Sequence, residues 1–144
     1  MTIQTYQKEL TANDTGETGA HQAGVHIPKS QIDLLSFLPP LDPSIKNPDA
    51  WIEMKDNAGV VWRFRYIHYN NSHHDPGGTR DEFRITHMTG FFRSAGAAAG
   101  DMLVLSGKPG TWRYDVSVRN PNNTIEAEPS APVRIRLRGW QRVY

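Results

Sequence analysis

The stretch Trp112–Arg119, "WRYDVSVR", sets Trp112, Tyr114, Val116 and Val118 against Arg113, Asp115, Ser117 and Arg119 at period two. Side chains of an extended chain alternate between faces, so this pattern predicts a strand with one face in a core and one in solvent. The same reading predicts strands around Ala23–Ile27, Trp51–Lys55, Val60–Tyr69, Glu82–Thr86, Asp101–Leu105 and Pro132–Arg138. Turn signals separate them, among them Asp56-Asn57-Ala58-Gly59, Asp75-Pro76-Gly77-Gly78, Lys108-Pro109-Gly110 and Asn120-Pro121-Asn122-Asn123. Seven or so strands at this spacing predict a mainly β barrel or sandwich, and 144 residues suit a single domain over 1–144.

One or two short helices accompany the strands. In "KSQIDLLSFLPP" Ser30 is the expected N-cap with Asp33 three residues on, Ile32, Leu35 and Leu38 form the apolar face, and Pro39-Pro40 is the stop. The expected product is a plug on the barrel end. "SAGAAAGD", Ser94–Asp101, reads equally as a helix or as a turn into the next strand, and residues 1–5 are expected to fray.

Composition removes several classes of function. With no cysteine there is no disulfide or thiolate zinc site, "MTIQTYQKEL" lacks the apolar run of a signal peptide, and no run approaches a membrane span of about 20 apolar residues. A soluble, cytoplasmic protein with no membrane partner is the expectation. The formal net charge of +1 is unequally spread. Up to Ala58 there are four lysines and eight acids, whereas eleven of the twelve cations from Gly59 onward are arginine, whose planar fork suits phosphates and guanine edges.

Catalytic motifs have little footing. Pro48-Asp49 and Glu53-Met54-Lys55 carry the letters of a magnesium nuclease, but such carboxylates come from neighbouring strands, and three intervening residues cannot form the hairpin between them. His68, His73, His74 and Asp75 match no familiar zinc spacing, and adjacent histidines on an extended chain point opposite ways. A phosphate loop, a nucleophile elbow and an H-E-x-x-H helix are all absent.

Two polar stretches carry more information. In "GGTRDEFRITH", Gly77–His87, Arg80, Glu82 and Arg84 share a strand face, so the acid can hold both guanidinium planes for reading guanine O6 and N7, while Glu82 or Asp81 could accept from cytosine N4. A solvated charge ladder is the plainer reading. "KELTANDTGETGAHQAGVHIPKSQ", Lys8–Gln31, packs short donors and acceptors between Gly16, Gly19 and Gly24, where the backbone must turn or approach closely.

These two stretches together resemble the amino-terminal effector domain of EcoRII-type restriction endonucleases, which carries a similar S-A-N-D-T-G-x-T-G-x-H-Q-x-G-x-x-I-P run and a later T-R-N-E-x-R-I-T run. Weaker similarity spans about residues 6–106. The resemblance implies a DNA-binding pseudobarrel, an open barrel also used by plant hormone-response transcription factors, whose two arms reach the major groove. The first arm would contain Lys8, Asn13, Asp14, Thr15, Glu17, Thr18, His21, Gln22, His26 and Lys29, and the second Ser72, His73, His74, Thr79, Arg80, Asp81, Glu82, Arg84 and His87. Arg63 and Arg65 are candidate phosphate contacts. A family tyrosine becomes His26, and two family lysines become Gly78 and Phe83.

The resemblance further implies sequence-specific binding of double-stranded DNA at a short, near-palindromic, G/C-rich site such as CC(A/T)GG. One monomeric copy would suffice, with no catalytic residue, metal or cofactor, and a nuclease domain elsewhere in the parent protein would be subject to allosteric control. The alternatives are a transcriptional regulator on the same barrel, a metalloenzyme using His68, His73, His74 and Asp75, and a protein-interaction barrel. A basic face of Arg134, Arg136 and Arg138 has no assigned role.

Overall fold

The computed structural model describes residues 2–17, 23–120 and 139–143. Among these, eight strands form one sheet: β1 (Gln4–Glu9), β2 (Val25–Ile27), β3 (Asp49–Lys55), β4 (Val61–Tyr69), β5 (Glu82–Thr86), β6 (Met102–Gly107), β7 (Arg113–Arg119) and β8 (Trp140–Arg142). Their order is β2-β5-β4-β3-β7-β6-β1-β8, with every ladder antiparallel except β3–β7. The sheet curls until its two edges approach. Trp140 Nε1 of β8 donates to the His26 carbonyl of β2 at 2.9 Å, so a side chain spans the seam of a nearly closed barrel.

The alternation in β7 holds for Tyr114 and Val116, which are buried, whereas Trp112 precedes the strand and is exposed. β1, expected to fray at its start, instead lies between β6 and β8. Its inward positions include Tyr6 and Lys8, so a charged residue occupies a core-facing place and breaks the apolar pattern. The expected strand over Pro132–Arg138 and its three arginines lie outside the described residues.

Among the described residues three short α-helices accompany the strands: α1 (Ala12–Thr15), α2 (Ile32–Phe37) and α3 (Thr89–Ala95). Gln31, not Ser30, is the N-cap of α2, without a side-chain cap bond. The helix buries Leu34 and Phe37, while Ile32 faces solvent and Leu35 is only partly covered. Leu38, also expected to be buried, is so, and the anchor of α2 is Phe37, whose ring centroid is 4.8 Å from Tyr6 and 4.8 Å from Tyr114, a tertiary contact that turns Ile32 out of the predicted face. α3 takes in Ser94 and Ala95 at the start of the alanine-rich stretch, buries Phe91 and Phe92, and ends at Gly96 with φ 63°. The remaining alanines, Ala97–Ala99, lie in the turn into β6.

Candidate nucleic-acid interface

β5 pairs with β4 so that Glu82 faces Tyr69, Arg84 faces Ile67 and Thr86 faces Arg65, while His26 of β2 faces Arg84 from the other side. Directly opposed residues share a face, so His26, Arg65, Tyr69, Glu82, Arg84 and Thr86 make one outer surface across β2, β5 and β4, with Ile67 itself buried. A concavity of about 400 Å³ opens there, lined by Asn13, Arg65, Tyr69, Arg80, Glu82, Arg84, Thr86 and His87. Asn13 arrives from α1, so the two polar stretches of the sequence meet at one place.

Glu82 organises this surface. Its Oε1 accepts from Arg80 Nε at 2.9 Å and Nη2 at 2.5 Å, and its Oε2 lies 3.4 Å from Arg84 Nη1. The predicted acid between two arginines is therefore present, although Arg80 precedes the strand. Burial works to raise the Glu82 pKa, but the Arg80 hydrogen bond and the two guanidinium charges outweigh it and hold the carboxyl below its usual range. His26 is drawn below the ordinary histidine value by burial; Glu82 opposes this and Arg84 reinforces it.

Asp81 points the other way. Its carboxylate binds Lys29 at 2.6 Å, His68 at 2.7 Å and His73 at 3.1 Å, and these hydrogen bonds hold it far below the usual aspartate range. An acceptor so engaged is not placed beside Glu82 for a cytosine. Because the folded-state pKa is depressed, its stabilisation is present above the unfolded value of 3.8 and is lost as the pH falls from there through the folded value. Asp81→Asn should therefore lower the melting temperature at pH 7, with the gap to the wild type narrowing below about pH 4. A constant gap in melts from pH 7 to 2 would contradict this.

The other predicted arm residues divide by environment. Lys8 and Asp14 are buried and paired with each other at 2.5 Å, and Asp14 also accepts from the Thr11 N–H. They are placed to brace the first arm from inside, since Thr11 and Asp14 form a capping box on α1. Thr15 bonds the Ala12 carbonyl, and Glu17 accepts from the Ala99 N–H at 3.1 Å. Thr18, Gly19, His21 and Gln22 lie outside the described residues.

Glycine secures the arm to the sheet. Gly16 caps α1 at φ 83°, and a Cβ at Gly24 would stand 2.3 Å from the Ile85 carbonyl oxygen. Gly78 is equally confined, because a Cβ there would meet the Asn71 carbonyl oxygen at 2.1 Å; the lysine of the resembled family does not fit this turn. Phe83, in place of the other family lysine, stacks on His68 with ring centroids 4.0 Å apart.

In the second arm Ser72, His73, His74 and Thr79 are exposed. His68 and His73 both reach Asp81, whereas His74 reaches the Pro43 carbonyl and Asp75 pairs with Lys46, so the four residues of the metalloenzyme alternative do not converge on one point. Asn70, fully buried, ties the arm's base to Asn47 and Ile45. On the flank Arg65 pairs with Asp49 at 2.6 Å, Arg63 lies over the exposed Trp51 at 5.4 Å, and His87 meets the same ring edge-on at φ 67°. Asp49 and Glu53 occupy one strand, β3, paired to Arg65 and Arg113.

Sequence reasoning passed over Tyr69, Thr86 and Trp51. Tyr69 and Thr86 could be found by counting in twos from Arg65 and Glu82. Trp51 had only its residue type to mark it on a strand already expected.

Residues 1–111 match the family described as restriction endonuclease EcoRII, N-terminal. The type II restriction enzyme EcoRII of Escherichia coli is 38% identical over 88 residues, covering 56% of this chain and 20% of that protein. Auxin response factor 2 of Oryza sativa subsp. japonica is 33% identical over 110 residues, covering 76% of this chain and 14% of that protein. The chain thus spans a minor part of both curated relatives.

Among solved structures, the B3 domain of the UbaLAI restriction endonuclease with cognate DNA aligns over 97% of this chain and 86% of that one, with TM-score 0.58 and 17% identity. The Arabidopsis FUS3–DNA complex aligns over 78% and 93%, with TM-score 0.57 and 23% identity. At these identities the likeness concerns the fold, and the expected pseudobarrel is the fold observed. With the family match covering its first 111 residues, the chain belongs to the family of EcoRII restriction endonuclease N-terminal domains.

Proposed function

We propose that this domain binds double-stranded DNA sequence-specifically, as the target- or effector-site reader of a restriction endonuclease whose hydrolytic portion lies elsewhere in the parent protein. The observation that carries the reading is the single Glu82 carboxylate orienting Arg80 and Arg84 on a concave polar surface. Oriented guanidinium forks are the side chains best suited to guanine O6 and N7 in the major groove. Family membership favours a restriction enzyme over a transcriptional regulator, whose plant examples share the barrel.

In this reading the first arm, around Asn13 and His26 and continuing through His21 and Gln22, and the second arm, from Ser72 to Arg84, enter the major groove from two sides. Arg80 and Arg84 read guanines, Glu82 holds them, and Lys29, Arg63, Arg65 and His87 meet phosphates at the rim. Lys8 and Asp14 act through the shape of the first arm. The site is a short near-palindrome such as CC(A/T)GG, bound by one copy of the domain without a metal, in the cytoplasm.

Fluorescence anisotropy with a CCTGG duplex and a scrambled one, without divalent metal at about 0.1 M salt, tests the proposal, since salt sets the nonspecific background. A preference of at least roughly a thousandfold for the first duplex is expected. Equal weak binding would discard the site, and no binding to either would discard DNA as the partner.

A further inference from the structure

Arg80 is held more firmly than its position suggests. It lies before β5, in a segment without regular structure, yet its N–H donates to Asn71 Oδ1 at 2.7 Å and its carbonyl accepts from the Ser72 N–H at 3.0 Å. Glu82 grips one edge of its guanidinium, and the Tyr69 ring lies against the face, with Cζ 3.8 Å from the ring centroid. Tyr69 and Glu82 are directly opposed across β4 and β5, so the sheet register itself builds the clamp.

An in-plane bond and a stacked ring restrain different motions. Bonds from Nε and Nη2 to one carboxylate oxygen limit sliding within the plane but leave the plane free to tilt about that oxygen. A ring at cation–π distance opposes the tilt. Glu82 occupies the Nε side of the fork, which leaves the terminal edge formed by Nη1 and Nη2, the edge that pairs with guanine O6 and N7. Its direction is thus set before DNA arrives.

We infer that Tyr69 is a positioning residue for sequence readout, which fixes the plane of the Arg80 guanidinium so that its terminal edge meets a base; this rests on the DNA-binding reading above. The ordering of a long, rotamer-rich side chain then accompanies folding rather than binding. Removing the ring should cost discrimination between sequences more than attraction to DNA as such, because the charge remains.

Tyr69→Leu and Tyr69→Phe test this through two readouts. Leucine should reduce the preference for the CCTGG duplex over the scrambled one by about tenfold, with binding to the scrambled duplex unchanged, and phenylalanine should stay within about threefold of the wild type. In the free domain, the Arg80 Nε–H resonance should be shifted upfield by the ring in the wild type and in Tyr69→Phe, and should lose that shift in Tyr69→Leu. Full preference retained in Tyr69→Leu would overturn the inference. If the wild type shows no preference, the proposed site fails, if it binds neither duplex the DNA-binding reading fails, and in either case the resonance decides the positioning role: a shift unchanged by leucine overturns it, and one lost with leucine and kept with phenylalanine sustains it.

Discussion

Glu82→Ala should abolish most sequence discrimination while slightly strengthening binding to arbitrary DNA. Two opposing terms are involved. Loss of one negative charge from a concave surface holding Arg65, Arg80 and Arg84 increases its attraction for phosphates, a term that is independent of sequence and screened by salt. Against it stands the loss of the group that orients both base-reading forks, each good bidentate contact being worth about 1–3 kcal/mol of discrimination. With both contacts disturbed, the loss is on the order of 2–4 kcal/mol, roughly thirty- to a thousandfold in affinity for the cognate duplex.

Glu82→Gln should fall between. A glutamine oxygen can still accept from Arg80, but the amide turns donors toward Arg84 and releases that arginine. Arg84→Ala, which removes one fork and leaves the other held, should cost about 1–3 kcal/mol at the cognate site and little at random DNA. Titrations of each variant against cognate and scrambled duplexes separate these expectations, and equal losses on both would show that the triad supplies charge rather than readout.

Phe37→Ala should be strongly destabilising, by about 3–5 kcal/mol. The ring is fully buried and touches Tyr6 of β1 and Tyr114 of β7, so its loss opens a cavity where a helix and two strands meet. The Phe37 carbonyl also accepts from Tyr114 Oη at 2.8 Å and from the Gly110 N–H at 3.0 Å, and these bonds depend on α2 staying seated. Small domains are stable by only about 5–15 kcal/mol in total, so a large share would be lost. Ile32→Ala, on the 69% exposed side of the same helix, should change stability by less than about 0.5 kcal/mol. Urea unfolding should show a lower midpoint for Phe37→Ala with an unchanged slope. Similar midpoints for both variants would mean that α2 contributes little to the barrel.

This pair of variants also marks a limit of the sequence. Helical spacing points to Ile32, Leu35 and Leu38 as the buried face, of which Leu38 is buried, Leu35 half-covered and Ile32 exposed, because in six residues the spacing leaves the rotation of the helix open. The fit of one aromatic ring between two tyrosines decides it. α1 is different: Thr11 and Asp14 stand at capping-box spacing, a signal present in the sequence and passed over. α3 carries no side-chain cap and two adjacent phenylalanines, so nothing local announces it.

What the sequence determined by itself is what repeats within a few residues. Period two located six strand regions that the structure describes, placed Arg84 and Glu82 on one face with Arg80 within reach, and marked Gly16 and Gly24 as sites of turning and close approach. Tertiary structure alone decided that Lys8 faces inward to meet Asp14, that β1 and β8 flank each other, that Asp81 serves Lys29 and two histidines, and that Tyr69 lies beneath Arg80. Alternation of side chains is a property of a single extended chain. The partner of a buried charge, or the ring beneath a guanidinium, depends on which strand lies alongside and in what register, and that is settled only when segments distant in sequence pack together.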